Sequence, residues 1–151
     1  MPKYRLLTSD ELEPLKEDFV AFLVVNGIVA VEWAKIKTND LAKAQGIIAQ
    51  FSDVVFEKIL RQQRYLVHRT EKSISCFHYQ DKQAVVISVK CSQGKLVLDE
   101  HISAALRQGD CELITGQKKY IKQRELEMFE MIKKGAKLSE GEWYKKLALL
   151  L

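Results

Sequence analysis

The 151-residue sequence has few of the residues that interrupt or cross-link a chain: two prolines, three cysteines and seven glycines. With so little proline no linker is visible, and we expect a single domain over residues 1–151. The odd number of widely spaced cysteines predicts free thiols in a reducing cytoplasm. The longest apolar run near the start, Phe19 to Val25, is too short for a bilayer, so we expect neither a leader nor a membrane span.

Signatures of catalysis and cofactor binding are also missing. The sequence contains no CxxC, HxxxH or HExxH spacing, no GxSxG, and no GxGxxG or GxxxxGK[ST] loop. Zinc sites, serine nucleophiles and phosphate-binding loops usually show these spacings. Their absence predicts no cofactor and favours a non-enzymatic interaction module, with a small metal-dependent enzyme as the alternative.

What is present is an ordinary globular composition, with 47% hydrophobic and 29% charged residues. The chain has a net charge of +4, and the charge is distributed unevenly. Residues 1–57 carry more acidic than basic side chains, whereas residues 58–151 carry more basic ones. A basic carboxy-terminal part can attract nucleic acid or an acidic partner. No long block of one sign occurs, which favours a solvated mixed-charge surface.

The amino-terminal part is predicted to be helical. Thr8 and Glu11 form a capping-box pattern that begins the first helix, and Asn26-Gly27 is typical of its end. The run Phe19 to Val25 is apolar all round, which predicts burial on several sides. Two more helices are expected, over residues 31–37 and 41–62.

From Arg64 onward the apolar pattern changes from helical to alternating and predicts strands over residues 64–69, 73–80 and 83–91. A loop at Asp81-Lys82 pairs His78 with Val85 and Cys76 with Ile87, which gives the hairpin one core face. Later elements are a helix over 96–108, a short hairpin of 111–115 and 118–121 about Gly116-Gln117, a helix over 123–134, and a last helix capped by Ser139 with Glu142 three residues later.

This order of elements indicates an α+β fold rather than strict β-α-β alternation. We expect the helical amino-terminal part to pack on an antiparallel sheet, with helices at the carboxy-terminal end.

Histidine and cysteine are candidate metal ligands in the strand region. The candidates are His68, Cys76 and His78, and the Cys-x-His spacing of the last two places both ligands on one face of a strand. The simpler interpretation is that Cys76 is a buried small hydrophobe. A disulfide between Cys76 and Cys91 is not expected, because the register puts Cys91 opposite Lys72, too far along the strand.

Two carboxylates on the long helix are the candidates for acid–base or metal chemistry. Asp53 and Glu57 are four residues apart on one helix face, and their apolar neighbours can raise a carboxylate's proton affinity. The alternative is a polar stripe with a surface ion pair between Glu57 and Arg61. The consecutive residues 99–101, Asp-Glu-His, point in different directions on a helix and do not converge.

A basic segment near the carboxyl end is the candidate for nucleic-acid binding. It consists of Lys118, Lys119, Tyr120, Lys122 and Arg124, and the tyrosine could stack on a base. Acidic residues follow at once and weaken the positive field, and no standard nucleic-acid module is present. The pattern therefore favours a protein partner over nucleic acid.

The chain ends on an apolar stretch, Leu147 to Leu151. Such an end usually frays unless it docks on its own domain or on a second copy. This predicts a homodimer.

Three segments, Phe22–Ile28, Phe51–Glu57 and Tyr65–Arg69, resemble a family of small uncharacterised proteins found largely in Bacteroidota. The similarity extends over most of the chain. It implies a small cytoplasmic bacterial protein, and it implies neither an activity nor any functional residue.

Overall fold

The computed structural model describes residues 2–92, 94, 96 and 102–151, and the chain divides into two compact units, residues 1–59 and 60–151. The first unit is helical. The second carries a five-stranded antiparallel sheet and further helices, so the predicted α+β class is confirmed. The single domain over the whole chain stays a prediction.

The helices of the first unit follow the predicted start and end signals with one exception. Thr8 and Glu11 form the predicted capping box, each side chain accepting the other's backbone N–H. Pro14 divides the predicted first helix, because proline has no N–H to donate and its ring crowds the preceding turn. The elements are α1 (Ser9–Leu12), a 3₁₀ turn (Glu13–Leu15), α2 (Lys16–Val25), α3 (Ala30–Asn39) and α4 (Leu41–Gln62).

An aromatic cluster forms the core of this unit. The ring of Phe19 meets the edges of Trp33 and Phe51, with centroids 5.1 and 5.0 Å away, the geometry that aromatic pairs prefer. Because one side of α2 fills this core, its other side is open to solvent. The prediction that this segment is buried on several sides is wrong for three residues that are exposed by more than half: Val20, Val24 and Val25.

The sheet of the second unit has the strand order β4-β3-β2-β1-β5, and each neighbouring pair is antiparallel. The predicted hairpin register is confirmed, because His78 pairs with Val85 and Cys76 with Ile87. The strands are β1 (Tyr65–Arg69), β2 (Ser73–Tyr79), β3 (Gln83–Cys91), β4 (Cys111–Lys119) and β5 (Lys137–Ser139).

Helices cover both faces of the sheet. On the face we call the core face, Cys76, Ile87 and Val89 are buried together with Ile102 and Leu147 from two helices. On the opposite face, which we call the α6 face, strand residues line a small cavity together with another helix. The helices are α5 (Ile102–Arg107) and α7 (Glu142–Ala148) on the core face and α6 (Arg124–Lys133) on the other.

One predicted hairpin is wrong. Residues 111–119 form a single strand that pairs with β3 over nine consecutive residues, so the chain does not turn at Gly116. Gly116 lies opposite Val86, and a Cβ at Gly116 would sit 3.2 Å from the Val86 side chain. The glycine therefore serves a close approach within the sheet rather than a turn.

The predicted capping box of the last helix is also wrong. Ser139 lies in β5, paired with Tyr65 of β1, and its hydroxyl accepts the N–H of Gly141. The helix begins at Glu142, with Gly141 as its cap in a left-handed conformation (φ 88°). A Cβ at Gly141 would lie 2.8 Å from the Tyr65 ring, so this position has both a backbone and a packing reason for glycine.

The prediction of three free thiols is wrong for two of them. Cys91 and Cys111 are directly opposite each other at the end of the β3–β4 pair and form a disulfide, while Cys76 is free and buried. The sequence prediction missed this pair because it assigned no pairing between residues 111–115 and β3.

The helix predicted over 96–108 is described from Ile102 to Arg107, and Gly109 ends that segment with φ 82°. The Asp-Glu-His stretch at residues 99–101 lies outside the described residues.

Candidate functional site

The two candidate carboxylates hold the amino-terminal segment on α4. Asp53 accepts the backbone N–H groups of Lys3 and Tyr4 at 2.8 and 3.1 Å. Glu57 accepts the Lys3 ammonium at 3.1 Å and the Tyr4 hydroxyl at 2.5 Å. Tyr4 is buried, and the next turn is tied by the hydrogen bond from the Leu7 N–H to the Ser52 hydroxyl. These contacts give both carboxylates a structural role.

The candidate metal ligands do not converge. Cys76 and His78 share the core face of β2, whereas His68 pairs with Ser75 and points to the α6 face. Within the described part of the chain, no three side chains of His, Cys, Asp or Glu come together as a ligand set. Burial raises the pKa of Cys76 to about 11, so its thiol stays protonated at neutral pH.

His78 belongs to an aromatic cluster. Its ring stacks on Tyr65 with centroids 4.6 Å apart and meets the edge of Tyr144 at 5.2 Å. Burial lowers the pKa of His78, and the positive charges of Arg64, Arg124 and Lys145 lower it further. The half-buried imidazole packs against both tyrosines, and its lowered pKa favours the neutral form at neutral pH.

The basic segment is mostly engaged within the protein. Lys118 pairs with Glu127 at 2.8 Å, Lys122 pairs with Glu130, and the Tyr120 hydroxyl donates to a backbone carbonyl at 2.6 Å. Lys119, at the end of β4, is exposed. The segment therefore does not present one continuous cationic surface.

Arg124 has the most enclosed side chain of this segment, with 9% of it exposed. Its guanidinium donates to the backbone carbonyls of Leu60, Gln63 and Tyr79. A planar group with five N–H donors can satisfy several acceptors at once, which a lysine cannot do. Arg124 thus connects the end of α4 to β2 and α6.

Glu127 is the second enclosed charge of this region. Its carboxylate accepts the Lys118 ammonium and the backbone N–H groups of Ile121 and Lys122, the latter two at 2.9 and 3.1 Å. The hydrogen bond from Lys118, followed by those from the two amides, lowers the pKa of Glu127 to about 2 from an ordinary value of 4.5. It fixes the turn between β4 and α6.

This arrangement predicts an acid-dependent loss of stability. Because the pKa of Glu127 is lowered in the folded protein, its contribution is complete above about pH 4.5 and is lost as the pH falls toward 2. We expect the difference in unfolding free energy between the wild type and Glu127→Gln, measured by urea denaturation, to shrink over that range. A difference that stays constant from pH 5 to pH 2.5 would contradict this role for Glu127.

The outer edge of β4 presents a row of backbone groups. The N–H of Cys91 donates to Lys72, on the side of β3 away from β4, so Cys91 and Cys111 form a non-hydrogen-bonded pair. Their Cα atoms are 4.1 Å apart, as expected for such a pair. Alternate residues of β4 therefore direct their N–H and C=O groups outward. We call them the outward residues: Cys111, Leu113, Thr115, Gln117 and Lys119.

This edge is open. β4 is terminal in the strand order, and no residue that the structure describes hydrogen-bonds to its outward groups. Six of its nine residues are exposed, including Ile114 at 44%. Proteins usually protect edge strands with charged side chains, proline, a bulge or a short length. β4 carries the charges of Glu112, Lys118 and Lys119, but its nine pairs with β3 are consecutive and include no proline or bulge.

A groove lies beside the first residues of the same edge. It has a volume of about 860 Å³ and is lined partly by the apolar side chains of Leu106, Leu113 and Leu150. The groove adds accessible apolar surface next to the first residues of β4. It was not predicted, since it depends on where α5 and the chain end meet the strand.

Other apolar surface lies on the first unit, around α2 and α3, where Val25 and Val31 are exposed. No single helix of the described chain combines the length and the apolar composition needed to cross a membrane. Residues 9–25 and α3 pass that test only together, as a pair bent by 100°.

The open edge is the feature that sequence reasoning missed. The predicted hairpin of residues 111–115 and 118–121 divides this strand in two. The alternation that continues through Gly116, with Leu113, Thr115 and Gln117 on one face, indicates the continuous strand but not its place at the edge of the sheet.

No curated protein and no solved structure matches this chain. A family model does match it, over residues 1–151, and that family is described as one of unknown function. The resemblance to a family of uncharacterised proteins is confirmed by this match. The chain belongs to the family of unknown function DUF6495.

Proposed function

We propose that this protein is a non-enzymatic interaction module that binds an extended segment of another chain along the outer edge of β4. The observation that carries the proposal is a continuous nine-residue edge strand with five residues directing backbone donors and acceptors outward. An extended segment laid on such an edge forms main-chain hydrogen bonds, and its alternate side chains select the partner.

The surroundings of the edge support this proposal. Ile114 and the groove beside Leu113 offer apolar contacts, and Glu112 and Lys118 offer charges of opposite sign. Binding in this mode needs little rearrangement of the sheet, because β3 already holds β4 in place by its other edge.

The alternatives draw less support from the same geometry. Asp53 and Glu57, on which a metal-dependent enzyme would rest, accept hydrogen bonds from Lys3 and Tyr4. Arg124, one of the five candidate nucleic-acid-binding residues, donates to backbone carbonyls. Neither set is arranged around an accessible ligand position.

The family resemblance supports a bacterial cytoplasmic setting as part of this proposal. In a reducing compartment Cys91 and Cys111 can exist as two thiols in the same cross-strand position, which leaves the register of β4 unchanged.

Thr115→Pro tests the proposal. The Thr115 N–H points outward, so proline removes a donor from the edge without removing a hydrogen bond to β3. We expect Thr115→Pro to lose the proteins that immobilised wild type retains, whereas the matched control Thr115→Val, which keeps the N–H, retains them. Gln117→Pro repeats the test at a second outward residue should the first variant fold poorly. Equal retention by all folded variants would contradict the proposal.

A further inference from the structure

We infer that the segment bound at the β4 edge is β4 of a second copy, paired antiparallel about a two-fold axis at Thr115 to form a continuous ten-stranded sheet. This inference rests on the proposed function and names its partner. It is carried by the backbone register and by the order of side chains along the strand.

The backbone restricts the possible registers. In an antiparallel pair, outward residues must oppose outward residues, because only they have free N–H and C=O groups on that side. An axis at Thr115 engages all five outward residues of each copy. It places Thr115 opposite Thr115, Leu113 opposite Gln117, and Cys111 opposite Lys119.

The side chains on the α6 face favour the same register. An axis at Thr115 places Glu112 of one copy opposite Lys118 of the other, twice by symmetry. It also places Ile114 opposite Gly116, where the missing side chain leaves room for the larger one. Directly opposed residues on one face of an antiparallel pair interact strongly enough for opposite charges to stabilise and like charges to destabilise the pairing.

Neighbouring registers lose these contacts. The nearest registers that still oppose outward residues have their axis at Ile114 or Gly116. An axis at Ile114 places Glu112 opposite Gly116, and an axis at Gly116 places Lys118 opposite Ile114. Either shift reduces the overlap of the outward residues and removes the pairing of Glu112 with Lys118. The strand is therefore self-complementary about Thr115, which is what a two-fold interface between identical chains requires.

Lys118 can take part although it already binds Glu127. Its side chain is 61% exposed, and its ammonium has three donors, of which the contact with Glu127 uses one. A carboxylate from a second copy can approach the same ammonium from the solvent side.

Reversing the charge of Glu112 or Lys118, which face each other across the axis, tests the inference. We expect sedimentation velocity to show a concentration-dependent wild-type dimer. The single variants Glu112→Lys and Lys118→Glu each oppose like charges twice and should raise the dimer dissociation constant about 30-fold or more. An equimolar mixture of the two variants should regain the wild-type constant, because each chain then faces the opposite charge.

Lys118→Glu places a second carboxylate next to Glu127 and can therefore fold poorly. A cross-linking experiment tests the same register without that substitution. Thr115 alone faces its own copy in this register, so oxidised Thr115→Cys should form a disulfide-linked dimer. The matched variant Gln117→Cys, which faces Leu113, should not. A wild type that remains monomeric, or single variants that dimerise like the wild type, would overturn the inference.

Different results would overturn the edge-binding function and the second-copy partner. A monomeric wild type whose captured proteins are lost on Thr115→Pro overturns only the second-copy partner. A monomeric wild type whose captured proteins are unaffected by Thr115→Pro overturns the edge-binding function as well.

Discussion

Replacement of Arg124 by methionine is expected to lower the free energy of unfolding by about 4 kcal/mol. The Arg124 guanidinium is almost fully enclosed and donates to the carbonyls of Leu60, Gln63 and Tyr79. Methionine fills much of the same space but removes the guanidinium donors from the carbonyls of Gln63 and Tyr79, while the Leu60 carbonyl keeps the Gln63 N–H. It also removes the ion-pair partner of Glu125, and each buried polar group left unsatisfied costs about 1–3 kcal/mol. Urea denaturation of the purified variant measures the loss.

The matched control is Lys119→Met, which removes a positive charge from an exposed position of the same segment. We expect this change to stay within about 0.5 kcal/mol of the wild type. If Arg124→Met were no more destabilising than Lys119→Met, the structural role of Arg124 would be wrong. The basic segment would then again be a candidate ligand surface.

Leu147→Ala is expected to cost about 3 kcal/mol of unfolding free energy. Leu147 is completely buried, and it packs in the core cluster with Ile74, Cys76 and Val89. Truncation to alanine loses the transfer free energy of the side chain and leaves a cavity that the sheet cannot close. Thermal and urea denaturation at a low protein concentration measure the effect in the isolated chain.

Leu149→Ala is the control, because Leu149 is two residues away and 85% exposed. We expect it to change stability by less than about 0.5 kcal/mol. The sequence presents Leu147 to Leu151 as one apolar end, whereas the structure assigns Leu147 to the core and Leu149 to the surface. Equal effects of the two substitutions would contradict that assignment.

Local patterns predicted much of the fold. The long helix α4 and the β2–β3 register follow from periodicity alone, because burial of one face forces apolar residues into a fixed spacing. The capping box at Thr8 and Glu11 was also predictable, since both partners lie within one turn.

The errors arose where a local signal competes with a distant contact. Gly116 is typical of a turn, but it lies in a strand, where a Cβ would sit only 3.2 Å from the side chain of Val86 on β3. Ser139 and Glu142 match a capping box, but Ser139 pairs with Tyr65 in a three-residue strand. In each case the deciding partner is far away in the sequence, where spacing carries no information.

The same reason explains the candidate sites. Residue type alone singles out Asp53, Glu57 and Arg124 as candidates for a functional site. Their partners are distant in the sequence: the two carboxylates bind the segment at Tyr4, and Arg124 donates to the carbonyl of Tyr79. The open edge could not be predicted, because it depends on β4 being last in the strand order. That order is a property of the whole sheet.

The central claim is that the outer edge of β4 is a free binding surface. Amide hydrogen exchange by NMR tests it most directly, because the N–H groups of β4 alternate in direction. In dilute protein we predict rapid exchange at Leu113, Thr115 and Gln117 and protection at Glu112 and Ile114, with protection extending to the outward amides as the concentration rises. Protection of the outward amides already in the dilute monomer would contradict the account, because the edge would then be covered within the chain itself.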